Sequence, residues 1–388
     1  YRTAYRLVGA CFMSKINFFA LVLAAALFGI MFPDSPALAQ RGGSPHDCPR
    51  SNPDCRDKEP EQEGTMKWHP GHYVKTQGQH CAMNQDVYYD GVMRNLNAHV
   101  ESSDKFRGAY VIYAWGALET DKGVYDWSRV HEHLDWLAAT GKHLLVGIEH
   151  KCYGGMTDPE WLVPENLETE VEPHMEGIIG ALWRTEVMDQ YLDFVWAFAA
   201  EFDSHPNVEM VSFVPETCPG FGSIGLPSGY DNTGYSEQIQ RMVSAAALAF
   251  GQTAVSVGVN CPMNGEAVNL VEALYQNGLG RAGPDAHAVP GYNVFTGDDG
   301  ALRDYRGQIP HRVIVSAPNL GGFSNILPLS NIQKLIDDGS VTHAAWVLSS
   351  STQGGTKDDI IEHIKKRKNG TFTKCPAQFE TLYGGCQQ

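Results

Sequence analysis

The feature of this sequence that most constrains its fold is a series of eight short apolar runs separated by amphipathic segments. The runs are rich in β-branched and aromatic residues and lack polar alternation, which is typical of parallel strands covered on both faces. They lie at residues 72–76, 108–115, 143–148, 208–214, 253–259, 281–288, 311–317 and 342–348. Between them, helical periodicity predicts helices at residues 128–139, 185–202, 236–250, 267–276, 331–337 and 357–366.

This strand, helix, strand order fits two architectures, a closed (β/α)8 TIM barrel and an open doubly wound sheet. The open sheet is disfavoured because no GxGxxG follows the first run and no GxxxxGK[ST] occurs. Eight is also the number of strands that closes a TIM barrel. The sequence therefore predicts a single α/β domain, a (β/α)8 TIM barrel over residues 67–388.

The segment before the barrel carries the pattern of an export signal. Met13 and Lys15 precede an apolar run at residues 18–32, and small residues follow up to Ala39. This order is typical of a secretory signal peptide cleaved after Ala39, so residues 1–39 are predicted to be a leader. Residues 40–66 are rich in Pro, Gly and charged residues and are predicted to be a disordered linker. The mature protein is expected to be secreted or periplasmic.

Charge and cysteine content narrow the partners and the compartment. The formal net charge of −16 would repel nucleic acid and anionic membrane surfaces, so neither is expected as a partner of the mature protein. Beyond the leader there are eight cysteines and no CxxC pair, which in an exported protein indicates disulfides. We hypothesise the pairs Cys48 with Cys55, Cys81 with Cys152, Cys218 with Cys261, and Cys375 with Cys386.

Acidic, aromatic and histidine side chains follow the predicted strands, at the end of a barrel where active sites lie. Carboxylates supply general acids and bases, and flat aromatic rings stack on the C–H faces of sugars. The pattern therefore favours a carbohydrate substrate. No HExxH or comparable ligand spacing occurs, so no metal or cofactor is predicted. The strand-end residues are His72, Lys75, Trp115, Glu119, Glu149, His150, Glu216, Asn260, Asp285, His287, Asn319 and Trp346.

Glu216 is the strongest candidate for a catalytic residue, because this single carboxylate follows a buried apolar strand and is expected at the predicted barrel mouth. Partial desolvation there would raise its pKa and let it act as a proton donor. The alternative is a structural carboxylate that binds the next loop. Glu119 could equally accept N–H groups of the turn at Gly123, and Glu149 could equally form a salt bridge with Lys151.

The remaining candidates are predicted to bind substrate. Trp346 and Trp115 are each either a sugar platform or barrel core, and the serines that follow Trp346 favour a platform there. His72 and His150 could form hydrogen bonds to sugar hydroxyls. The amides that follow the fifth and seventh strands, Asn260 and Asn319, complete the predicted binding set.

Residues 109–151, followed by GGMTDPEWLVPE, resemble strands two and three of the β-galactosidase-like and cellulase-like barrels of the large retaining glycosidase clan. The positions that carry the resemblance are Trp115, Glu119, Gly123, Tyr125, Asp126, Trp127, Gly154, Gly155, Pro159, Trp161 and Leu162. The resemblance implies a glycosidase whose acid/base glutamate ends strand four, which is Glu216. It also implies an asparagine before that glutamate and a nucleophilic glutamate ending strand seven, where this chain has Pro215 and Asn319.

The sequence thus predicts a secreted glycoside hydrolase in which Glu216 is the general acid and Glu149 or Asp285 is its carboxylate partner. The absence of a strand-seven glutamate favours an alternative, a carbohydrate-binding barrel without catalysis. A further alternative is a polysaccharide lyase that uses Lys75, His150 or Tyr153 as its base.

Overall fold

The structure is a computed structural model, and the described part of the chain belongs to one compact unit, Pro60–Gln388. The predicted leader and residues 40–64 of the predicted linker lie outside the described residues. No helix within the described part is long and apolar enough to cross a bilayer. The described residues are 65–76, 85–100, 105–153, 159–162, 167–172, 175–217, 227–259, 265–283, 304–316, 335–337, 339–347, 361–362, 364 and 374–387.

Eight parallel strands close into a barrel, which confirms the predicted (β/α)8 fold. Each strand begins within two residues of a predicted apolar run, and the last strand pairs with the first. The sixth is the shortest, and the rest of its predicted run lies outside the described residues. The strands are β1 (Gly71–Lys75), β2 (Phe106–Ala114), β3 (His143–Glu149), β4 (Val208–Phe213), β5 (Ala254–Gly258), β6 (Gly280–Gly283), β7 (His311–Ser316) and β8 (His343–Val347).

Helices follow most of these strands. The predicted bounds of Ser128–Ala139 (α2) and Thr185–Phe202 (α3) are confirmed. Asn232–Ala249 (α4) begins four residues before its predicted start, because the Asp231 carboxylate caps it by accepting from Gly234 N. Most of the two last predicted helices lies outside the described residues. The helices are α1 (Gln85–Asn95), α2 (Ser128–Ala139), α3 (Thr185–Phe202), α4 (Asn232–Ala249), α5 (Glu266–Gln276) and α6 (Ala377–Leu382), with short helices at Leu96–Val100, Trp115–Leu118 and Glu160–Leu162.

The strand register decides which side chains fill the barrel and which pack under the helices. Residues paired across neighbouring parallel strands share a face, and the faces alternate along each strand. Tyr73, Tyr110, Leu145 and Met210 therefore face the lumen, where they form one buried cluster. Their chain neighbours face outward into the larger core beneath the helices. The C-terminal strand ends define the mouth of the barrel, and the opposite end is its base.

Short strands cover both ends of the barrel. At the base, Met66–Lys67 pairs in parallel with Cys386–Gln387. The predicted disulfide between Cys375 and Cys386 is formed there, and the other three predicted pairs involve side chains outside the described part. At the mouth, the strands Lys151–Tyr153, Met175–Gly180 and Leu167–Glu172 form an antiparallel sheet after β3.

Glu209, near the start of β4, connects separate parts of the barrel base through hydrogen bonds. Its carboxylate accepts a hydrogen bond from His69 N at 2.6 Å and contacts His69 Nδ1 at 2.8 Å and His343 Nε2 at 3.0 Å. Burial by itself would raise the pKa of Glu209, but the hydrogen bonds to His343 and His69 outweigh it and hold this pKa well below its ordinary value. One carboxylate thereby joins β4, β8 and the segment that precedes β1.

Candidate active site

Glu149 is the last residue of β3 and points inward at the mouth, on the same face as Leu145 and Gly147. Its side chain is almost completely buried, with 7% of the residue exposed. Burial is the main cause that raises its pKa to about 8, Lys151 opposes the rise, and the charge of Glu216 adds to it. The carboxyl group of Glu149 is therefore mostly protonated at neutral pH.

Glu216 follows β4 in a strained turn that is locked against β5. Val214 has a φ of 48°, a left-handed conformation that is an outlier for a β-branched residue. Gly258 on β5 donates from its N–H to Val214 O at 3.0 Å and accepts from Thr217 N at 2.7 Å. A Cβ on Gly258 would lie 1.8 Å from Pro215 O, so only glycine permits this close approach. The turn thus fixes where the Glu216 side chain begins.

Lys151 forms an ion pair with Glu216, with 3.0 Å between Nζ and Oε2. The lysine side chain is buried, at 2% exposure, whereas 25% of the Glu216 side chain is exposed. Lys151 comes from the antiparallel sheet at the mouth, where it pairs with Ile179. The sequence left open a salt bridge between Lys151 and Glu149, but the structure pairs the ammonium group with Glu216. We refer to Glu149, Lys151 and Glu216 as the mouth cluster.

The mouth cluster places two carboxyl groups in contrasting environments. Glu149 is buried and keeps its proton, whereas Glu216 is more exposed and ion-paired. Two carboxyl groups that differ in this way can divide the roles of acid and base. The sequence predicted Glu216 as the proton donor, which stays a prediction, whereas the structure shows that Glu149 is buried and that burial raises its pKa. The reason is that strand alternation turns Glu149 into the barrel, which the uniformly apolar run before it did not reveal.

Glu119 and Trp115 form part of the wall beside the mouth. The indole Nε1 of Trp115 donates to Glu119 Oε2 at 2.7 Å, and Gly123 N donates to Glu119 Oε1 at 2.9 Å. Both residues are buried, and the Trp115 ring meets that of Tyr191 edge to face. Burial is the main cause that raises the pKa of Glu119. This arrangement corresponds to the structural reading that the sequence left open for both residues.

The structure does not bring His72, His150 or Trp346 to the mouth. Trp346 is fully buried in the core beneath the helices, where its Nε1 donates to His72 Nδ1 at 3.0 Å. His150 follows the inward-facing Glu149 and lies against Tyr191 of α3, and burial lowers its pKa to about 3. The physical reason is alternation, since each of these side chains occupies an outward position. The other predicted residues, Asn260, Asp285, His287 and Asn319, lie outside the described residues.

The floor of the mouth is apolar. Ile112 on β2 and Ile314 on β7 belong to the buried cluster in the lumen that contains Tyr110 and Leu145. Their exposed fractions are 6% and 7%, respectively. Lys75 ends β1 in register with Tyr110, so it occupies an inward position at the same end of the barrel. The mouth cluster therefore lies at the edge of an apolar floor, where water is partly excluded from the carboxyl group of Glu149.

Within the described residues, one group has the composition of a metal site. The ligand atoms of His69, His143 and Glu209 lie within 4.8 Å of one another at the base, at the opposite end from the mouth cluster. The two imidazole rings stack with centroids 3.8 Å apart, and Glu209 is already bonded to His69. These contacts describe a polar network that closes the base.

Comparison with known proteins gives no family assignment: no family model matches the chain, and no curated protein matches it. Among solved structures, it is similar to the catalytic domain of a beta-amylase from Paenibacillus polymyxa, with 10% identity, a TM-score of 0.49, and coverage of 82% of this chain and 98% of that chain. Endo-glycoceramidase II from Rhodococcus sp. shows 13% identity, a TM-score of 0.45, and coverage of 77% and 80%. A beta-galactosidase from the psychrophilic Marinomonas ef1 shows 13% identity, a TM-score of 0.43, and coverage of 74% and 56%.

Proposed function

We propose that this protein is a glycoside hydrolase in which Glu149 is the general acid and Glu216 is its ion-paired carboxylate partner. The observation that carries the proposal is the mouth cluster, in which neighbouring strands present one protonated and one ion-paired carboxyl group. Glycosidic bond cleavage needs such a pair, one group to protonate the leaving oxygen and one to act at the anomeric carbon.

The proposed reaction begins with proton transfer from Glu149 to the glycosidic oxygen as the bond to the anomeric carbon breaks. Glu216 then supports the positively charged centre, either by attacking it directly or by removing a proton from an attacking water molecule. Lys151 holds the Glu216 carboxylate in place through the 3.0 Å ion pair. Because Glu149 has a pKa of about 8, the carboxylate left after proton transfer readily regains a proton at neutral pH.

Two sequence observations support a carbohydrate substrate and an extracellular location. The motif at residues 109–165 resembles the second and third strands of retaining glycosidases, and the strand-end carboxylates fit sugar chemistry. The apolar run at residues 18–32, with its flanking residues, has the order of a secretory signal peptide. We therefore propose that the substrate is a polysaccharide or oligosaccharide outside the cytoplasm. Asp285 remains an alternative partner carboxylate predicted from sequence.

The proposal is tested by chromatography of sugars released from a panel of plant, algal and microbial polysaccharides. Wild type is compared with Glu149→Gln, Glu216→Gln and the control Glu132→Gln, which changes an exposed residue on α2. Both mouth variants should lose about 10²-fold or more in activity, and the control should lose none. For wild type, kcat/KM should fall above pH 8, where Glu149 loses its proton.

A substrate with a strongly acidic phenol as leaving group separates the two roles. Such a group departs without being protonated, so Glu149→Gln should recover much of its bond-cleavage rate, whereas Glu216→Gln should not. The opposite pattern would return the acid role to Glu216, as the sequence predicted. If wild type releases no sugar but is retarded by a polysaccharide in affinity gels, the protein is a carbohydrate-binding barrel and the catalytic proposal is wrong.

A further inference from the structure

Arg312, on β7, reaches across the lumen of the barrel. Its Nε donates to Ser212 Oγ on β4 at 3.2 Å, and its guanidinium carbon lies 4.5 Å from the centre of the Tyr110 ring on β2. β4 and β2 lie on opposite sides of β7, each three strands away around the barrel. A side chain that contacts both must cross the interior, and Arg312 has no exposed surface.

The charge of this guanidinium is not balanced by the described residues. Nη1 and Nη2 of Arg312 are buried and have no hydrogen-bond partner within the described part of the chain, and no carboxylate there forms an ion pair with them. Burial lowers the pKa of Arg312, but the group stays charged at neutral pH because arginine does not deprotonate in proteins. An isolated buried charge is unfavourable even after relaxation of its surroundings, and a negative charge beside the guanidinium would offset that cost.

The lumen around Arg312 offers further hydrogen-bond donors besides the guanidinium group. The buried Tyr110 hydroxyl has no partner among the described residues. Ser212 and Ser256 share one hydrogen bond of 2.6 Å between their hydroxyl groups, so whichever donates, the other hydroxyl proton is available to the lumen. A water molecule could accept from these donors, but it would leave the charge of Arg312 uncompensated.

We propose that the barrel lumen contains an anion site, formed by Arg312, Tyr110 and the Ser212–Ser256 pair, that binds a small monovalent inorganic anion of the size of chloride. One negative charge matches the single guanidinium. The occupant is small because the lumen is otherwise filled by packed side chains, among them Ile112 and Ile314, which separate the site from the mouth. The site is distinct from the mouth cluster and does not depend on the proposed glycosidase activity.

The test compares thermal unfolding of the full chain in sodium chloride and in sodium gluconate, whose anion is too large for the lumen, at equal ionic strength. The Tm of wild type should rise by about 2–4 °C for each tenfold increase in chloride concentration above the dissociation constant of the site. The same increase in gluconate concentration should not raise it. Arg312→Met keeps an unbranched, flexible stem, although a shorter one, and removes the charge, so its Tm should be the same in both salts. Arg94→Met, at an exposed position on α1, should behave like wild type.

A second measurement locates the anion and covers the case in which Arg312→Met does not fold. Crystals grown in bromide should show an anomalous peak within hydrogen-bond distance of the Arg312 guanidinium. Ser256→Ala should move the half-maximal chloride effect to about tenfold higher concentration by removing one hydroxyl group. Equal Tm values of wild type in the two salts, or bromide peaks confined to the protein surface, would overturn the proposal.

Discussion

Replacing Glu149 with glutamine should stabilise the protein at neutral pH while removing its proposed activity. The pKa of Glu149 is raised from 4.5 to about 8, mainly by burial. In the unfolded chain this carboxyl group ionises above pH 4.5, and in the folded protein it stays protonated until about pH 8. Ionisation therefore favours the unfolded state over this pH range. Glutamine resembles the protonated acid but does not ionise, so the variant does not lose this stability.

The size of the effect follows from the shift. Native stability associated with Glu149 is fully present below pH 4.5 and is lost progressively as the pH rises to about 8. Between the unfolded pKa of 4.5 and pH 7 there are about 2.5 pH units. At about 1.4 kcal/mol for each unit, the free energy of unfolding falls by about 3 kcal/mol over this interval. No reduction for solvent screening is needed, because the group is buried.

The assay is urea unfolding of wild type and Glu149→Gln, followed by circular dichroism from pH 4.5 to pH 8. The difference in free energy of unfolding should be near zero at pH 4.5 and grow to about 3 kcal/mol in favour of the variant at pH 7. Glu132→Gln, at an exposed position, should show a small difference that does not change with pH. A pH-independent difference for Glu149→Gln, or destabilisation that grows with pH, would refute the reasoning.

Three further predictions concern other parts of the barrel. Gly258→Ala would bring a Cβ 1.8 Å from Pro215 O, so the turn must move by about 1 Å and kcat/KM should fall about 10²-fold. In the control Gly251→Ala, the nearest atom to the added Cβ is 3.8 Å away, so kcat/KM should not change. Replacing Cys375 and Cys386 with serine should lower the free energy of unfolding by about 2–3 kcal/mol in urea titrations, and an unchanged midpoint would contradict this. Four histidines have pKa values lowered to about 3 or 4, three of them buried (His133, His150 and His311) and one half-buried (His143). They are neutral in the folded protein and gain protons on unfolding below pH 6.5, so the free energy of unfolding should drop as the pH falls from 6.5 to 5, by up to about 1.4 kcal/mol per pH unit for each. A flat profile would contradict this.

The sequence predicted the barrel well because its strands are covered on both faces. Such strands are continuous apolar runs with abrupt ends, so their positions can be identified to within two residues. The small strands were not predicted, since segments as short as Met66–Lys67 and Cys386–Gln387 form only where distant parts of the chain meet. Of the contacts at the base of the barrel, the sequence therefore predicted one disulfide.

The uniformly apolar runs that identify the strands do not indicate which way their side chains point. An apolar run without polar alternation does not show which residue faces the lumen, so Trp346 was assigned to the mouth although Ala345 holds the inward position. The sequence indicates both Glu216 and Glu149, but only the fold determines the ion pair of Glu216 with Lys151 and the burial that raises the pKa of Glu149. Arg312 was not singled out, although a cation within the run at residues 311–317 was a signal for it.

The contacts of Glu209 have a consequence for how the barrel closes. Its partners His69 and His343 lie 140 and 134 residues away along the chain, in opposite directions. Neither half of the chain alone can satisfy this carboxylate, because one partner comes from each side. Any partly folded form that lacks the first or the last strand exposes or buries an uncompensated charge, which penalises open intermediates. Glu209 therefore makes ring closure cooperative, since its bonds form completely only when the first and last strands have met.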